Sequence, residues 1–470
     1  MSPSIQTIGP LALLGWSLLA VLSFQAAQFT GIGWLIIPCA YALIEISRAA
    51  THRKVFYPLL GVGFAFYAPQ LGFFWNIFGP AAMALWLVLA FWVALFGLAL
   101  RAVRLRWGEA WALVLAPFVW TGLEYFRCEL YYLRFGWLTF GMTSYQTPSI
   151  QPAGVFGLGF LFVAIAAGAN RVFKSRKLWE IAAFVVCVGI LAATLCPALM
   201  ASQRRDRPGL TVAGVQLEIP TDDQVISGLK KAHKKFPDAQ LFMLSEYTFQ
   251  NPVPQTVRDW CASNRVYLVA GGKEPLGETN FYNTAYVVGT NGEMIFQQAK
   301  SVPIQFFKDG RPAPERKVWN SPWGKLGILI CYDLSYTRVV DDFVRQGAIA
   351  LLNPTMDVAD WGASEHTLHS RIAPARATEY GMPIFRVCSS GISQLVSSTG
   401  RVLARAPFPG EGEIIGGRLP LDAHPRLPLD RSLAPVCVGS AALALLAPLL
   451  PARKKAACAP ESMSTNLSSS

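Results

Sequence analysis

Three residues of reactive types each stand at the end of an apolar run in the second half of the sequence. Cys331 closes the run Leu326–Ile330, and Glu246 and Lys300 each end a similar run. In open α/β sheets, ligands bind beyond the carboxyl ends of strands, so a thiol, a carboxylate and an ammonium in such places predict a common site. A thiol reacts as its thiolate, which a carboxylate can generate and an ammonium can stabilise. We therefore expect nucleophilic catalysis by Cys331.

Each of the three residues also has an ordinary structural explanation. A cysteine in a strand is most often a small buried hydrophobic residue. Glu246 could be a solvated carboxylate at a strand end, and Lys300 could be a surface lysine. Position favours the catalytic interpretation, because the apolar run stops at Cys331 and polar Tyr332 and Asp333 follow, which lets the sulfur face a cleft.

Metal chemistry is not expected from this sequence. Glu365, His366 and His369 fall on one predicted helical turn, but no further ligand is spaced to match them, so we expect packing or capping roles. The nine cysteines are scattered and form no CxxC pair, which indicates neither a disulfide framework nor a zinc site. The sequence predicts no metal and no cofactor.

Residues 208–425, which hold the three reactive residues, have the pattern of an α/β domain. Short, continuously apolar runs alternate with helical segments, and such runs indicate a sheet covered on both faces. Strands are predicted at 210–217, 240–245, 266–270, 284–288, 294–299, 326–330, 348–352, 384–387 and 394–397. Helices are predicted at 227–236, 256–264 and 366–380.

Most of the remaining chain has the composition of membrane-spanning helices. Hydrophobic residues make up 53% of the sequence, and no charged residue precedes Glu45. A stretch of about 18 apolar residues is enough to cross roughly 30 Å of hydrocarbon. Eight spans are predicted, near 8–28, 30–47, 56–76, 80–100, 108–126, 150–170, 179–201 and 432–451. A signal peptide would explain the first span, but that run lacks a basic start and further spans follow at once.

The distribution of basic residues predicts how these spans are oriented. If the spans alternate, Arg127 and Arg134 flank them on one side, and thirteen Lys or Arg residues flank them on the other. Basic residues concentrate on the cytoplasmic side, so both termini are expected in the cytoplasm and residues 208–425 outside it. The net charge of +12 then reflects these clusters rather than nucleic-acid binding. The thirteen are Arg48, Arg53, Lys54, Arg101, Arg104, Arg106, Arg171, Lys174, Arg176, Lys177, Arg453, Lys454 and Lys455.

The reactive residues and the sequence motifs around them resemble those of the nitrilase (carbon–nitrogen hydrolase) superfamily. That superfamily has a Glu-Lys-Cys triad in this chain order, which corresponds to Glu246, Lys300 and Cys331. The resemblance implies a nitrilase-like α-β-β-α sandwich. The motifs and residues on which the resemblance rests are Leu244-Ser245-Glu246-Tyr247-Thr248-Phe249, Gly327-Ile328-Leu329-Ile330-Cys331-Tyr332-Asp333, Asn353-Pro354, Asp360-Trp361-Gly362, His369, Arg376, Glu379, Arg386 and Ser390-Gly391-Ile392-Ser393.

The whole chain is similar to the membrane-embedded apolipoprotein N-acyltransferase branch of that superfamily. The fold implied is a polytopic α-helical membrane domain joined to an α/β domain. Its parts would be a seven-span domain over 1–205, a catalytic domain over 208–425, a transmembrane helix over 430–452 and a disordered tail over 456–470. In the predicted membrane domain, the similarity rests on Trp120, Glu124-Tyr125-Phe126-Arg127, Gly136-Trp137, Gly141, Tyr145-Gln146 and Gly157-Leu158-Gly159-Phe160. Glu124 and Arg127, about one helical turn apart, are expected to form a structural ion pair.

The resemblance also implies a reaction and a location. Cys331 would take an acyl chain from a phospholipid as a thioester and pass it to the N-terminal amino group of a diacylglyceryl-cysteine lipoprotein. Glu246 would be the general base and Lys300 would stabilise charge. The enzyme would lie in the bacterial inner membrane, with its catalytic domain on the periplasmic side. Its partners would be the phospholipid donor, the lipoprotein acceptor and membrane lipids, and we expect a monomer.

Further residues are expected around the reacting groups. The substrate-binding or supporting residues expected are Tyr332, Asp333, Trp361, Glu379 and Arg386. The aromatic residues expected to line the cleft or reach toward lipid are Phe306, Phe307, Trp319, Trp323 and Trp361. Their alternative is a place in the core of the domain.

One segment departs from the family pattern. After the triad lysine, the family sequences continue with a motif similar to His-Leu-Val-Pro-Phe-Gly-Glu, whose glutamate supports the site. Here Val302-Pro303 is kept, but no glutamate stands in that register. Gln305, Asp309 and Glu315 are the alternatives.

Other functions fit the same residues. A membrane-tethered amidase would use this triad with water, and its cleft should be small and polar, whereas an acyltransferase needs an apolar channel wide enough for acyl chains. A non-catalytic lipid- or lipoprotein-binding domain would keep the fold without the chemistry. A transporter is disfavoured, because ionisable residues are almost absent from the predicted spans.

Overall fold

The computed structural model describes residues 8–145, 150–175, 177–195, 209–421 and 423–449. The first part is helical, and Gly154 kinks its seventh helix. Its helices are α1 (Pro10–Thr30), α2 (Ile36–Ile46), α3 (His52–Gln70), α4 (Phe73–Phe78), α5 (Ala82–Trp107), α6 (Glu109–Tyr125), α7 (Ile150–Ser175) and α8 (Leu178–Leu195). The expected tail over 456–470 lies outside the described residues.

Among the described residues, four helical segments are long and apolar enough to cross a membrane, so this is a membrane protein. They are Pro10–Thr30, Phe73–Trp107, Pro152–Ser175 and Asp430–Leu449. The other predicted spans also hold helices, but these are shorter or less apolar in the described residues. Instead of one helix over 56–76, α3 ends at Gln70 and the short α4 follows it. The count of eight spans stays a prediction.

Within residues 209–421, which the structure describes, the chain forms twelve strands and five α-helices. The strands are β1 (Gly209–Val215), β2 (Leu241–Met243), β3 (Tyr267–Leu276), β4 (Asn280–Val288), β5 (Met294–Ala299), β6 (Val318–Ser321), β7 (Gly324–Ile328), β8 (Ala350–Thr355), β9 (Ile384–Cys388), β10 (Ser393–Val396), β11 (Val402–Ala406) and β12 (Ile414–Pro420). The helices are α9 (Asp222–Lys235), α10 (Gln255–Asn264), α11 (Thr337–Arg345), α12 (Ala363–His369) and α13 (Ile372–Tyr380). Helix α14 (Asp430–Leu446) follows.

The strands form two six-stranded mixed sheets. The orders are β12-β1-β2-β3-β4-β5 and β11-β10-β9-β8-β7-β6. Successive strand residues point to opposite faces, so Val212 and Met243 join the core between the sheets while Ala213 and Phe242 pack under α9 and α10. A Cβ at Gly214 of the first sheet would approach Val387 of the second to 2.5 Å. The expected fold class, a helical membrane domain with an α-β-β-α sandwich, is confirmed.

Polar contacts join the helical part to the outer layer of the second sheet. Trp137 Nε1 donates to Ser335 Oγ at 2.8 Å, and the backbone N–H of Val155 donates to Glu379 Oε1 at 3.1 Å. Helix α14 returns to the bundle against α6, where a Cβ at Gly122 would approach the Cys437 carbonyl oxygen to 2.1 Å. Such a small residue lets two helix backbones come close.

The structure corrects several predicted elements. The expected helix over 366–380 is two helices, α12 and α13, which meet at Ser370 and Arg371. Pro374 has no N–H to donate to the Ser370 carbonyl, so the helical bonding is interrupted there. Strands β6, β11 and β12 and helix α11 were not predicted. Charged or glycine residues interrupt the apolar pattern of α11, β11 and β12, and β6 is too short for alternation to mark a strand.

Candidate active site

The predicted reactive residues lie at the carboxyl ends of strands in both sheets. Glu246 follows β2, Lys300 follows β5 and Cys331 follows β7. Cys331 has a φ of 48° and Tyr247, the residue after Glu246, has a φ of 52°. Positive φ in a residue with a side chain costs on the order of 1–3 kcal/mol and is retained where the surroundings impose it. Both turns therefore hold their side chains in conformations that a relaxed strand end would not adopt.

Lys300 lies between two carboxylates in a fully buried cluster. Its Nζ is 2.8 Å from Glu246 Oε1 and 2.7 Å from Asp309 Oδ2. All three side chains are buried. Of the three alternatives to the family's glutamate, Asp309 is the one that contacts the lysine, while Gln305 faces a cavity. Glu315 pairs with Lys317 instead.

Hydrogen bonds fix Glu246 on every side. Asn283 Nδ2 donates to Glu246 Oε1 at 2.6 Å and to Asp309 Oδ1 at 2.9 Å. The backbone N–H of Met356 donates to Glu246 Oε2 at 2.8 Å. Tyr247 donates its hydroxyl to Asp309 Oδ1 at 2.8 Å. These bonds hold the carboxylates in place beside the lysine.

Burial and charge set the protonation of this cluster. Burial raises the pKa of Glu246, and Lys300 only partly opposes it. Burial alone would lower the pKa of Lys300, but Asp309 and Glu246 outweigh it and hold that pKa well above the ordinary value. Burial, with Glu246 nearby, also holds the pKa of the Cys331 thiol well above its ordinary value. The resting site therefore holds a neutral thiol beside a lysine that stays charged.

A second polar cluster lies on the other side of Cys331. His369 Nδ1 is 2.7 Å from Asp357 Oδ1, and Arg386 Nη2 is 2.7 Å from Asp357 Oδ2. One ligand-type atom from each of Cys331, Asp357 and His369 lies within 4.8 Å of the others. Burial alone would raise the pKa of Asp357, but His369 and Arg386 reverse this and hold it well below its ordinary value.

Two groups of these residues have the donor chemistry of a metal site. They are Cys331 with Asp357 and His369, and Asp357 with Glu365 and His366. Asp357 belongs to both groups, and Arg386 and His369 already engage its two oxygens. Charge pairing is thus enough to explain why these groups lie close together.

The five supporting residues take different places. Tyr332 and Trp361 line the cavity that opens beside Cys331. Asp333 accepts from the backbone N–H groups of Ser301, Val302 and Ile330, which fixes the loop after Lys300. Arg386 contacts Asp357 rather than the cavity. Glu379 lies away from the cavity, where it accepts from Val155 and pairs with Arg376 and Arg431.

Sequence reasoning missed Asn283, Asp357 and the pairing of His369. Asn283 stands in β4 just before the run Thr284–Val288, and a polar residue beside a buried run is a signal. Asp357 follows the end of β8, so it occupies the same kind of position as Glu246 and Cys331. Asp357 could have been identified from its position at a strand end. Identifying Asn283 would also have required knowing that β4 pairs with β5, the strand that Lys300 follows.

An apolar cavity opens beside Cys331 and encloses about 860 Å³ of empty space, including its open mouth. Cys331 and His369 form part of its wall. The apolar part of the wall comes mostly from the helical domain and the loop after Lys300. It consists of Phe73, Phe74, Ile77, Phe78, Leu85, Val88, Leu89, Leu133, Phe135, Trp137, Ile304, Phe306, Phe307, Tyr332 and Trp361. This apolar lining fits a hydrocarbon chain rather than a small polar amide.

The aromatic residues divide into two groups. Phe78 of α4 contacts Phe306 and Phe307, each with ring centroids 5.9 Å apart. Phe306 is 67% exposed, so the mouth of the cavity carries an accessible apolar ring. The expectation was wrong for Trp319 and Trp323, which pack on Tyr267 at the sheet edge.

The expected ion pair between Glu124 and Arg127 is not formed. Glu124 Oε1 accepts from the backbone N–H of Phe140 at 3.0 Å, and Arg127 donates to the carbonyl of Phe135 at 3.0 Å. Arg127 lies in a stretch of π-helix over Phe126–Leu130, so the spacing of an α-helical turn does not apply there. Both residues instead fix the backbone that leads to Trp137 in the cavity wall.

Two family models match this chain. The carbon–nitrogen hydrolase model covers residues 226–422, and the model of the apolipoprotein N-acyltransferase N-terminal domain covers residues 16–168. An apolipoprotein N-acyltransferase of Shewanella oneidensis is 25% identical, over 80% of this chain and 83% of the relative. One of Geobacter metallireducens is 24% identical, over 86% and 88%. The crystal structure of Saccharomyces cerevisiae Nit3, of the nitrilase superfamily, is 22% identical over 47% of this chain and 94% of its own, with a TM-score of 0.40.

Proposed function

The chain belongs to the apolipoprotein N-acyltransferase family of the nitrilase superfamily, and we propose that Cys331 carries the acyl group in its reaction. The donor is a phospholipid, and the acceptor is the N-terminal amino group of a diacylglyceryl-cysteine lipoprotein. The catalytic residues are Glu246, Lys300 and Cys331. These three residues supply the general base, the stabilising charge and the nucleophile that acyl transfer needs, so we propose no cofactor.

The first half-reaction forms a thioester. Glu246 takes the thiol proton as the sulfur of Cys331 attacks the ester carbonyl, and Lys300 stabilises the oxyanion of the tetrahedral intermediate. The intermediate collapses by breaking the bond to the glycerol oxygen. That oxygen takes the proton back from Glu246, and lyso-phospholipid leaves.

The second half-reaction transfers the acyl chain to nitrogen. The acceptor amine attacks the thioester carbonyl and gives a proton to Glu246. The carbon–sulfur bond then breaks, and the thiolate of Cys331 recovers the proton. The products are an amide on the lipoprotein and the free enzyme.

One observation carries this proposal, namely that the wall of the apolar cavity contains Cys331 itself. Exposing an acyl chain to water costs about 0.8 kcal/mol per CH₂ group. A cavity lined by Phe73, Phe78 and Leu85 of the helical domain removes that cost, because the chain stays among apolar groups. An amidase has no use for such a wall.

The test is to give purified protein a phospholipid with a labelled sn-1 chain. A labelled, hydroxylamine-sensitive adduct should form on the wild type and on Cys261→Ala, whose cysteine is buried in α10. Cys331→Ala should abolish the adduct. If a folded sample forms no adduct but hydrolyses short amides, the protein is a membrane-tethered amidase. If it does neither yet retains lipid, it is a binding protein.

We also propose the topology that the basic residues predict, with the catalytic domain on the periplasmic side of the inner membrane and a monomeric enzyme. Three of the basic residues, Arg48, Arg104 and Lys174, gather around Glu45 and Glu109, as expected for one end of the bundle. A reporter fused after Ser464 should be active only in the cytoplasm. Activity outside the cell membrane would overturn the orientation.

A further inference from the structure

A second cavity lies behind the wall of the catalytic one. It encloses about 1080 Å³ of empty space, including its open mouth, and its polar lining includes Tyr145, Ser370, Arg371, Gln394, Arg401 and Arg405. Nothing in the reaction described above uses it. Its lining comes from the turn after α12, the start of α13 and the β10–β11 hairpin.

The second cavity is strongly basic. It contains three guanidinium groups, and none of the described residues that line it is acidic. Arg401 and Arg405 are exposed, and Arg371 is half-buried. None of the three forms an ion pair with another described residue. Three like charges in one cavity repel each other unless an anion joins them.

Gln394 gives the cavity a buried polar atom without a hydrogen-bond partner in the described part of the chain. Its side chain is 4% exposed, and its Oε1 has no hydrogen-bond partner among the described residues. A buried polar atom without a partner is destabilising. The Gln394 amide lines the cavity, and turning it over would present this oxygen to an N–H or O–H group of a ligand.

The cavity lies where α1 ends. Arg371 Nη1 donates to the carbonyl of Gln28 in the last turns of α1, at 2.9 Å. Its guanidinium stacks 5.6 Å over the ring of Tyr145, and a Cβ at Gly31 would touch that ring at 3.5 Å. Helix α1 is one of the segments long and apolar enough to cross a membrane, and the cavity lies beside its C-terminal end.

We infer that this cavity binds a phosphate group that carries a hydrogen-bond donor nearby, as in the headgroup of phosphatidylglycerol or phosphatidylethanolamine. Arg371, Arg401 and Arg405 match the phosphate, because guanidinium groups bind phosphate oxygens in pairs of hydrogen bonds. Gln394 accepts from the headgroup hydroxyl or ammonium. A soluble phosphate ester has the same chemistry and is the other source of such a ligand.

The site shares a wall with the catalytic cavity. Helix α12 and the turn after it present Glu365 and His369 to the catalytic cavity, and Thr367 and Ser370 to the basic one. A headgroup in the basic cavity would therefore sit directly behind His369. The site does not depend on the thiol, so Cys331→Ala should bind headgroups as the wild type does.

The test is calorimetric titration of the full chain in detergent with dihexanoyl-phosphatidylglycerol below its micelle concentration. The double variant Arg401→Gln/Arg405→Gln should lose at least tenfold in affinity at one site. The control Lys230→Gln/Lys231→Gln removes the same charge from the exposed face of α9 and should bind as the wild type does. Equal binding by the arginine variant and the wild type would overturn the inference.

Two further arms identify the ligand. Glycerol 3-phosphate binding as tightly as the lipid would assign the site to soluble phosphate esters, whereas binding at least tenfold more weakly supports the lipid headgroup. Dihexanoyl-phosphatidylcholine has the phosphate but no donor, so it should bind more weakly than phosphatidylglycerol. Gln394→Leu should remove that preference, and a preference unchanged in this variant contradicts the role given to Gln394.

Discussion

The polar centre around Lys300 and the apolar cavity beside it share Cys331, yet they are built from different parts of the chain. The centre consists of charged groups from the sandwich, each held by short hydrogen bonds and ion pairs. The cavity wall includes seven apolar side chains of α4 and α5, which have no polar atoms with which to form hydrogen bonds to one another. The two regions therefore respond differently to change.

The difference separates the reaction from the choice of substrate. Removing one partner of a buried ion pair leaves an uncompensated charge, and the penalty is about 3–5 kcal/mol. A change in an apolar wall alters volume by one side chain, and its effect grows with the volume that is lost or filled. The centre should thus fail abruptly and the cavity gradually.

The largest effect is expected at Lys300. In Lys300→Met the carboxylates of Glu246 and Asp309 face each other without a cation, so acyl-adduct formation should fall at least about 1000-fold and the free energy of unfolding by about 3–5 kcal/mol. Adduct mass and chemical denaturation measure the two effects. Lys234→Met, at an exposed lysine of α9, should change neither. Adduct formation that survives in Lys300→Met would contradict its role.

Asp309 should have the next largest effect. Asp309→Asn removes one of the two charges that balance Lys300, and we expect the rate of adduct formation to fall about 10- to 100-fold. Glu315→Gln is the matched control, because Glu315 lies in the same loop region but forms its ion pair, among the described residues, with Lys317. Rates measured with one labelled phospholipid compare the two variants. A larger loss in the Glu315 variant would reverse the assignment.

The cavity should show the gradual response. Leu85→Trp adds volume to the wall, so transfer from a long-chain phospholipid should fall about tenfold while reaction with a short acyl ester stays within about twofold. Leu87→Trp places the same side chain two residues away on the exposed face of α5 and should change neither rate. If both substrates are slowed equally in Leu85→Trp, the cavity does not hold the acyl chain.

The polar centre could be predicted in part from the sequence. An apolar run that ends on a reactive residue marks a strand end, and that rule identified Glu246, Lys300 and Cys331 as neighbours. It could not choose Asp309 over Gln305, because the choice depends on how the loop closes. The backbone N–H of Ile304 donates to Asp309 Oδ2 at 2.8 Å, which turns the carboxylate inward.

The cavity could be predicted far less well. Its wall combines α4, α5 and the loop that holds Phe306, and a list of apolar spans gives no information about which faces meet. The sequence predicts one span over 56–76, whereas the break after Gln70 frees α4 to reach the catalytic domain. The contact between Phe78 and Phe306 spans more than 200 residues of sequence, a separation at which periodicity has no bearing.

The smallest effect concerns the second polar cluster and its dependence on pH. Burial alone would lower the pKa of His366, but Asp357 and Glu365 raise it to about 9. Its stabilising contribution is complete below the ordinary histidine pKa of about 6.5, where folded and unfolded chains both hold the proton. Above that pH the unfolded chain releases the proton first, so stability declines until the folded pKa is reached.

Thermal unfolding measured between about pH 6 and pH 9 follows that decline, because this range spans the pKa of His366 in the unfolded and in the folded chain. The wild type should lose thermal stability steadily over this range, by a few degrees at most, and the decline should be shallower in His366→Gln. It should not vanish, because burial alone would lower the pKa of His369 but Asp357 raises it, so His369 also releases a proton. His424→Gln, at an exposed histidine, should keep the wild-type slope. A slope unchanged in His366→Gln would mean that the neighbouring carboxylates do not hold a protonated imidazole. The cluster beside Cys331 would then be neutral at that position, unlike the charged centre around Lys300.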